Sequence, residues 1–215
     1  MENERPVRLV VDGAPLEGNL TIPKKARGIV VFAHGSGSSR NSPRNRFVAG
    51  VMQEAGLATL LFDLLIAKEE QIDNVTAQLR FDIDFLSRRL VGAVDWVSKN
   101  KDTSDMNIGL FGASTGAAAA LVAAAERSGK VKAVVSRGGR PDLAASALPK
   151  VKAPTLLIVG GLDYQVIELN RQALEQMTAV KELSIVPGAT HLFEEQGTLP
   201  KVADIAAQWF VKYLH

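Results

Sequence analysis

The segment MNIGLFGASTGAAAALVAAA, residues 106–125, carries the clearest indication of architecture in the chain, because a strand, a turn and a helix follow one another within it. The run Met106–Phe111 is typical of a buried strand, and the alanine-rich end of the segment favours a helix. Between them, residues 112–116 form a G-x-S-x-G pattern. In this context the pattern predicts a sharp elbow that raises the Ser114 hydroxyl above the sheet.

Such an elbow requires very small residues two positions before and two positions after its serine, because the strand and the helix nearly touch there. Gly112 and Gly116 meet this requirement. The alternative is an ordinary strand–helix turn in which Ser114 only caps the helix. The strand–turn–helix context favours the elbow.

On both sides of this segment, short apolar β-rich runs alternate with helical patterns. The predicted strands are Arg5–Val11, Leu16–Ile22, Gly28–Ala33, Ala58–Phe62, Met106–Phe111, Val131–Ser136, Thr155–Val159 and Glu182–Val186. The predicted helices are Arg44–Ala55, Leu79–Lys99, Thr115–Ser128, Gln165–Thr178 and Thr198–Leu214. The second of these helices has an apolar stripe made of Phe81, Phe85, Leu86, Leu90, Val94 and Val97.

This alternation predicts a single domain over residues 1–215. Its sheet is mostly parallel and doubly wound, and the first two strands form an antiparallel hairpin around the turn residues 12–15. Ligands of such sheets bind at the carboxyl ends of the strands. The loops that follow strands are therefore where the chemistry is expected.

Composition excludes several classes of protein. The 215 residues are 47% hydrophobic and 22% charged, so the chain can bury a core and is not disordered. A net charge of +2 gives no reason to expect nucleic acid or membrane as a partner. The absence of cysteine excludes a disulfide framework, a thiolate nucleophile and a Cys-ligated metal.

The amino-terminal segment Met1–Arg8 is charged and is not followed by an apolar run, which argues against a secretory signal. The most apolar window, Ala117–Ala125, is far shorter than the roughly 20 residues that cross a bilayer. A cytoplasmic protein is therefore expected.

A serine hydroxyl needs a base to remove its proton, and the chain offers three histidines. His215 is the last residue, and His34 ends a strand that precedes Ser114. His191 follows the last predicted strand, at the correct end of the sheet. His191 is therefore the predicted base.

The acid that orients the base is predicted to be Asp163, which directly follows the strand Thr155–Val159. Four other carboxylates compete for this role: Asp63, Asp142, Glu194 and Glu195. Asp63 precedes the serine, Asp142 belongs to a polar loop, and the two glutamates are interpreted as a solvated turn next to His191. The resulting chain order of serine, aspartate and histidine is the one that α/β-hydrolases use.

Acyl transfer also needs N–H donors that face the developing oxyanion. The backbone N–H of Thr115 is one predicted donor, and the N–H of Ser36 is the other, with Gly35 or Gly37 as alternatives. His34 is then interpreted as a structural brace. The glycine-rich loop lacks the third glycine of a dinucleotide fingerprint and the chain has no G-K-[ST], so no nucleotide, cofactor or metal is expected.

With these motifs, the chain resembles an α/β-hydrolase of the dienelactone-hydrolase-like group from Gly28 to Tyr213. The resemblance rests on the His34–Gly37 turn, the elbow, the Gly161–Asp163 turn and the Gly188–His191 loop. It implies that Ser114, Asp163 and His191 act as nucleophile, acid and base. Dienelactone hydrolase itself uses a cysteine nucleophile, so the serine of this chain favours a general esterase over a lactone-specific enzyme.

Two loops bear on the substrate. The segment Arg137–Pro154 is too short for the cap that many such hydrolases carry, and Asp63–Leu79 is the only other loop long enough to cover the site. A largely open site for small acyl groups is therefore expected. Arg137, which shares its loop with Arg140, is a candidate for binding a substrate carboxylate or phosphate; the alternative is a solvated turn or a surface ion pair.

The leading hypothesis is a cofactor-independent serine hydrolase that cleaves small carboxylic esters or thioesters through an acyl-enzyme on Ser114. One alternative is a non-catalytic binding or regulatory module on the same fold. Another is an acyltransferase or perhydrolase that uses the same triad with a different acceptor. The expected partner is a small-molecule ester, and a homo-oligomer is left open.

Overall fold

The eight strands of the protein, as a computed structural model describes residues 4–215, lie within a residue or two of the predicted ones. They are β1 (Arg5–Val11), β2 (Ala14–Thr21), β3 (Gly28–Ala33), β4 (Ala58–Phe62), β5 (Asn107–Ala113), β6 (Val131–Arg137), β7 (Thr155–Gly160) and β8 (Lys181–Val186). They form one sheet in the order β1-β2-β4-β3-β5-β6-β7-β8. The predicted α/β-hydrolase architecture is confirmed: β3 to β8 run parallel, and β1 and β2 form an antiparallel hairpin at one edge.

The hairpin has a two-residue turn because two positions accept a left-handed backbone. Asp12 has φ 51° and Gly13 has φ 76°, and Val11 pairs directly with Ala14. Turns with positive φ at both central positions match the twist of antiparallel strands. Of the predicted amino-terminal segment Met1–Arg8, the first three residues lie outside the described part of the chain.

Within residues 4–215, α-helices lie on both faces of the sheet. They are α1 (Pro43–Glu54), α2 (Ala67–Thr76), α3 (Ile83–Lys99), α4 (Thr115–Glu126), α5 (Tyr164–Gln176) and α6 (Thr198–Leu214). Side chains of α3, α4 and α5 share one apolar core with the sheet, and those of α1 and α6 share the other. The parallel strands β3, β4 and β7 are buried along their whole length, which explains their mostly apolar composition, whereas the edge strand β8 is largely exposed. No helix within residues 4–215 has both the length and the hydropathy that crossing a membrane requires.

The segment between β4 and α3 differs from its prediction. The predicted helix from Leu79 is two elements: a 3₁₀ turn at Leu79–Phe81 and α3, which begins after Asp82. Asp82 Oδ1 accepts the N–H of Phe85 at 2.9 Å, which caps α3 and separates it from the turn. Phe81, assigned to the apolar stripe, is therefore 58% exposed, and the predicted loop before it contains α2.

The connection from β6 to β7 contains no cap, as its small number of residues predicts. It contains only two 3₁₀ turns, at Pro141–Ala144 and Leu148–Lys150. The carboxyl ends of the central strands therefore remain free of a large cap. This is the edge at which the candidate site lies.

Candidate active site

Ser114 lies at a strained junction between β5 and α4. Its backbone has φ 51° and ψ −120°, a conformation that side-chain-bearing residues rarely adopt. A Cβ on Gly116 would overlap the carbonyl oxygens of Ala33 and His34, and one on Gly112 would overlap the backbone of α4. The two glycines therefore permit the close approach that the elbow pattern predicts.

The loop after β6 holds the backbone of Ser114 on both sides. The N–H of Ser114 donates to the carbonyl of Arg137 at 3.2 Å, and the carbonyl of Ser114 accepts the N–H of Arg140 at 3.3 Å. The loop itself is anchored by the buried side chain of Asn170 on α5, whose Nδ2 donates to the carbonyl of Gly139 at 3.0 Å. The sequence analysis missed Asn170, because an asparagine within a helix gives no signal of such a long-range contact.

His191 and Asp163 meet at the ends of neighbouring strands. Asp163 follows β7, His191 follows β8, and the His191 Nδ1 to Asp163 Oδ2 distance is 2.7 Å. The loops pass very close to each other, since a Cβ on Gly160 would lie 2.5 Å from the carbonyl oxygens of Ala189 and Thr190. The His191 side chain is 39% exposed, and that of Asp163 is 16% exposed.

This pair defines which nitrogen can act as a base. Asp163 accepts the hydrogen of Nδ1, so Nε2 carries the free lone pair in the neutral ring. Among the described residues, His191 makes this side-chain hydrogen bond and none to Ser114. Serine–histidine hydrogen bonds of unliganded hydrolases are often long and tighten when substrate binds.

The two predicted oxyanion donors are neighbours in space. The hydroxyls of Ser36 and Thr115 are 3.0 Å apart and form a hydrogen bond that joins the loop after β3 to the first turn of α4. Within residues 4–215, neither the Ser36 N–H nor the Thr115 N–H has a protein acceptor. A Cβ on Gly35 would lie 3.2 Å from Cβ of Ser114, so this loop lies directly against the serine. The geometry leaves two N–H groups free beside the nucleophile.

His34 is almost completely buried beneath this loop and makes two hydrogen bonds. Nε2 accepts the N–H of Leu64 at 3.0 Å, so Nδ1 carries the proton and donates to the carbonyl of Gly35 at 3.0 Å. Burial lowers the pKa of His34, which keeps the ring neutral. The ring therefore joins the loop after β3 to the end of β4, which fits the interpretation as a brace.

The carboxylates that competed with Asp163 all bind elsewhere. Asp63 pairs with Arg40, and Asp142 pairs with Arg140 at 2.7 Å. Glu194 pairs with Arg44 across the surface at 2.9 Å. Of the acids considered, Asp163 is the one that the fold brings to His191.

Glu195 lies in an exposed turn, as interpreted, and it also makes specific hydrogen bonds within this turn. Its carboxylate accepts the N–H of Thr190 at 3.1 Å and the Thr190 hydroxyl at 2.6 Å. These bonds fasten the loop one residue before His191 and lower the pKa of Glu195. The signal for this role was the spacing of five residues across a tight loop, which sequence reasoning did not use.

Arg137 is neither in a solvated turn nor in a surface ion pair, contrary to the alternative interpretation. Arg137 is only 6% exposed, and its Nη2 donates a hydrogen bond to Oδ1 of the buried Asn45 on α1 at 3.2 Å. Arg140, by contrast, forms a two-bonded pair with Asp142, which raises its pKa. The predicted contact between Arg137 and substrate stays a prediction.

The segment after β4 lies against the loop after β3. The hydroxyl of Ser36 donates to the carbonyl of Arg80 at 3.3 Å, and Arg80 is held by the buried carboxylate of Asp73 at 2.6 Å. A cavity of about 30 Å³ between this segment and the loop has room for water. Ser114 and His191 remain partly exposed, so the site is open on its other side.

No group of three or more histidine, cysteine, aspartate or glutamate side chains within residues 4–215 is placed to hold a metal ion.

Comparison with known proteins gives a consistent picture of the fold. The family model described as the dienelactone hydrolase family matches residues 16–212. A crystal structure of a dienelactone hydrolase from Anabaena variabilis is 62% identical, covers 99% of both chains and superimposes with a TM-score of 0.98. Est1E from Butyrivibrio proteoclasticus shares the fold at 17% identity, with a TM-score of 0.81 over 96% of this chain and 98% of its own.

A curated relative is longer than this chain. A Mycobacterium tuberculosis protein named "Putative phosphoribosyl transferase" is 56% identical over 209 residues. The match covers 97% of this chain and 46% of that protein, so the chain spans about half the length of the curated relatives it matches.

Proposed function

Because the chain belongs to the dienelactone hydrolase family, we propose that it is a serine hydrolase that cleaves carboxylic esters or thioesters of small acyl groups. The observation that carries the proposal is the 2.7 Å hydrogen bond between His191 and Asp163, which lies at the same edge of the sheet as the strained Ser114. Nucleophile, base and orienting acid are the three parts of an acyl-transfer triad. The serine, in place of a cysteine, favours a general esterase.

The first half of the reaction acylates the enzyme. Nε2 of His191 takes the proton of the Ser114 hydroxyl while Oγ forms a bond to the ester carbonyl carbon. The N–H groups of Ser36 and Thr115 donate to the resulting oxyanion. The tetrahedral intermediate then breaks its bond to the leaving oxygen or sulfur, which receives the proton from His191.

The second half releases the acid. A water molecule gives one proton to Nε2 of His191 as its oxygen bonds to the acyl carbon. The bond from this carbon to Oγ of Ser114 then breaks, and Oγ takes the proton back. Asp163 stabilises the imidazolium that forms in both halves. No step needs a cofactor.

The activity in the name of the curated relatives, phosphoribosyl transfer, is not part of the proposal. The name describes proteins of which the chain matches 46%, and phosphoribosyl transfer has no counterpart in the roles of Ser114, Asp163 and His191. The proposed chemistry is the one that the side chains of the matched part support. We further propose a cytoplasmic enzyme with a small-molecule ester as its partner.

The test is covalent labelling with a fluorophosphonate probe, with the adduct located by mass spectrometry. We expect an adduct on Ser114 in the unaltered protein, and its loss in Ser114→Ala and His191→Ala. Ser104→Ala, at an exposed serine away from the site, is the matched control and should label normally. A folded protein that takes no label at Ser114 would contradict the proposal and favour a non-catalytic binding module.

A further inference from the structure

Within residues 4–215, the buried guanidinium of Arg137 has no carboxylate partner. Its only side-chain hydrogen bond within the described chain is the 3.2 Å bond from Nη2 to Oδ1 of Asn45. Nε is completely buried and has no acceptor. A buried charge is costly unless an opposite charge and hydrogen bonds compensate it, so this side chain is aimed at a partner that the described residues do not supply.

The surroundings of Arg137 make its charge harder to accommodate. Burial and, as a smaller contribution, the positive charge of Arg44 together lower the pKa of Arg137 to about 10. The guanidinium therefore stays charged at neutral pH. No carboxylate of residues 4–215 acts on it strongly enough to oppose this shift.

The side chain of Arg137 contacts the first turn of helix α1. Asn45 is the third residue of α1, and Ser42 caps this helix by accepting the N–H of Asn45. The N-terminus of a helix carries a partial positive charge. Arg137, Arg44 and the start of α1 thus concentrate positive charge in one place, which is the arrangement that binds anions.

The carboxylate that pairs with Arg44 is held loosely. Glu194 pairs with Arg44 at 2.9 Å, and its side chain is 62% exposed. Exposed ion pairs contribute little free energy, so a competing anion can displace this carboxylate from Arg44 at small cost. The Arg44–Glu194 pair is therefore the outer boundary of the region rather than its permanent occupant.

We propose that Arg137, Arg44 and the first turn of α1 form a binding site for a carboxylate or phosphate group. Arg137 is the buried fork of this site, and Arg44 closes it from the surface after exchanging Glu194 for the ligand. Guanidinium groups bind both kinds of anion through two parallel hydrogen bonds. This chemistry fits two sources, a charged group on the substrate or a free anion.

The backbone of residues 137 and 138 connects this site to the proposed catalytic residues. The carbonyl of Arg137 accepts the N–H of Ser114 at 3.2 Å. A Cβ on the next residue, Gly138, would lie 3.5 Å from Cε1 and Nδ1 of His191. An anion bound to Arg137 therefore acts on the backbone that positions both the nucleophile and the base; this consequence, unlike the binding itself, rests on the proposed function.

The binding test uses inorganic phosphate at constant ionic strength, balanced with sodium chloride. We expect a saturable rise in melting temperature of the unaltered protein, by about 3 to 6 °C at ten times the Kd. Arg137→Met should abolish the rise. Arg171→Met removes an arginine on α5 whose side chain is 59% exposed, and this control should keep it. Glu194→Gln should lower the phosphate Kd, since it removes the competing carboxylate.

Titration calorimetry with phosphate and with acetate on the unaltered protein gives the same answer without any variant. Arg137→Met is also expected to fold, because it replaces an unpaired buried charge with an apolar side chain of similar length. The absence of saturable binding of both anions, or equal binding by Arg137→Met, would overturn the proposal.

Hydrolysis of two matched esters, one neutral and one with a carboxylate on its acyl group, then identifies the source of the anion. If the site takes the substrate's own group, phosphate raises KM for the charged ester and leaves the neutral ester unchanged. If the site takes a free anion, phosphate changes kcat for both esters alike. Binding without any turnover of either ester would support the site and count against the proposed hydrolase.

Discussion

At the scale of single residues, the backbone of Ser114 stores strain that the surrounding contacts maintain. A residue with φ 51° and ψ −120° costs about 1–3 kcal/mol relative to a relaxed conformation. The hydrogen bonds from its N–H to Arg137 and from Arg140 to its carbonyl hold the backbone in place. The strain raises the side chain above the strand ends, so local stability is exchanged for an exposed hydroxyl.

Asp163 is predicted to act by orienting His191. We expect Asp163→Asn to fold normally and to lower kcat by about 10³- to 10⁴-fold, because the amide stabilises the wrong tautomer of the imidazole and cannot balance the imidazolium. Steady-state hydrolysis of a small activated ester, with the melting temperature measured alongside, checks this expectation.

Asp142→Asn is the matched control for this change. Asp142 also pairs with a basic side chain, Arg140, but does not contact His191. Its substitution should leave kcat within a few-fold of the unaltered protein. An equal loss of activity in both variants would count against a specific role for Asp163.

At the scale of elements, the junction of β3, β5 and α4 depends on the absence of a side chain at Gly116. A Cβ there would overlap the carbonyl oxygens of Ala33 and His34, which belong to backbone and cannot rotate away. We expect Gly116→Ala to lower the free energy of unfolding by about 2 kcal/mol or more, through overpacking. Chemical denaturation measures the change.

A glycine-to-alanine substitution in α1 should change the free energy of unfolding in the opposite direction. Gly50 is an interior residue of α1, and a Cβ there would meet nothing within 4 Å. Gly50→Ala should therefore raise the free energy of unfolding by about 0.5–1 kcal/mol, since alanine favours helix. If both variants shifted stability in the same direction, close packing at the elbow would not be the cause.

The element that sequence analysis missed is α2. Its ten residues, AKEEQIDNVT, bury only Asp73, so they show no apolar stripe. Asp73 forms an ion pair with Arg80 at 2.6 Å, and this ion pair holds α2 next to the 3₁₀ turn that contacts the loop after β3. A helix held by ion pairs, of Asp73 with Arg80 and of Glu69 with Arg89, leaves no periodic apolar signal for sequence reasoning to detect.

At the scale of the whole molecule, His34 couples stability to pH. Burial lowers its pKa in the folded state below the value of 6.5 that it has when unfolded. Between these two pKa values the unfolded chain binds a proton that the folded chain does not. The stability that the neutral ring contributes is therefore fully present above pH 6.5 and is lost as the pH falls below it.

Urea denaturation at pH 7.5, 6.5, 5.5 and 5.0 tests this coupling. We expect the free energy of unfolding of the unaltered protein to fall by up to about 1.4 kcal/mol per pH unit more steeply than that of His34→Gln. His215→Gln, at the exposed last residue, serves as the control and should follow the unaltered protein. Parallel curves for the unaltered protein and His34→Gln would contradict the assignment.

Most of the molecule could be predicted from its sequence because its signals are local. The strands β1, β3 and β4 have the predicted boundaries, since each is a short β-rich run bounded by turn residues. The elbow pattern and the order of Ser114, Asp163 and His191 need only the chain order of strands and loops. In a parallel sheet, that order is enough to place loop residues at one edge.

The sequence predicted the features that depend on local patterns and on chain order, and the tertiary structure decided the contacts between distant residues. Chain order and apolar patterning predicted the doubly wound sheet and the edge that carries the candidate triad, because parallel strands must place their carboxyl ends together. The partners of other buried polar side chains required the folded chain: Asn170 with the carbonyl of Gly139, and Arg137 with Asn45 instead of a carboxylate. Hydrogen bonds act over about 3 Å between residues far apart in sequence, so only packing determines which partners meet.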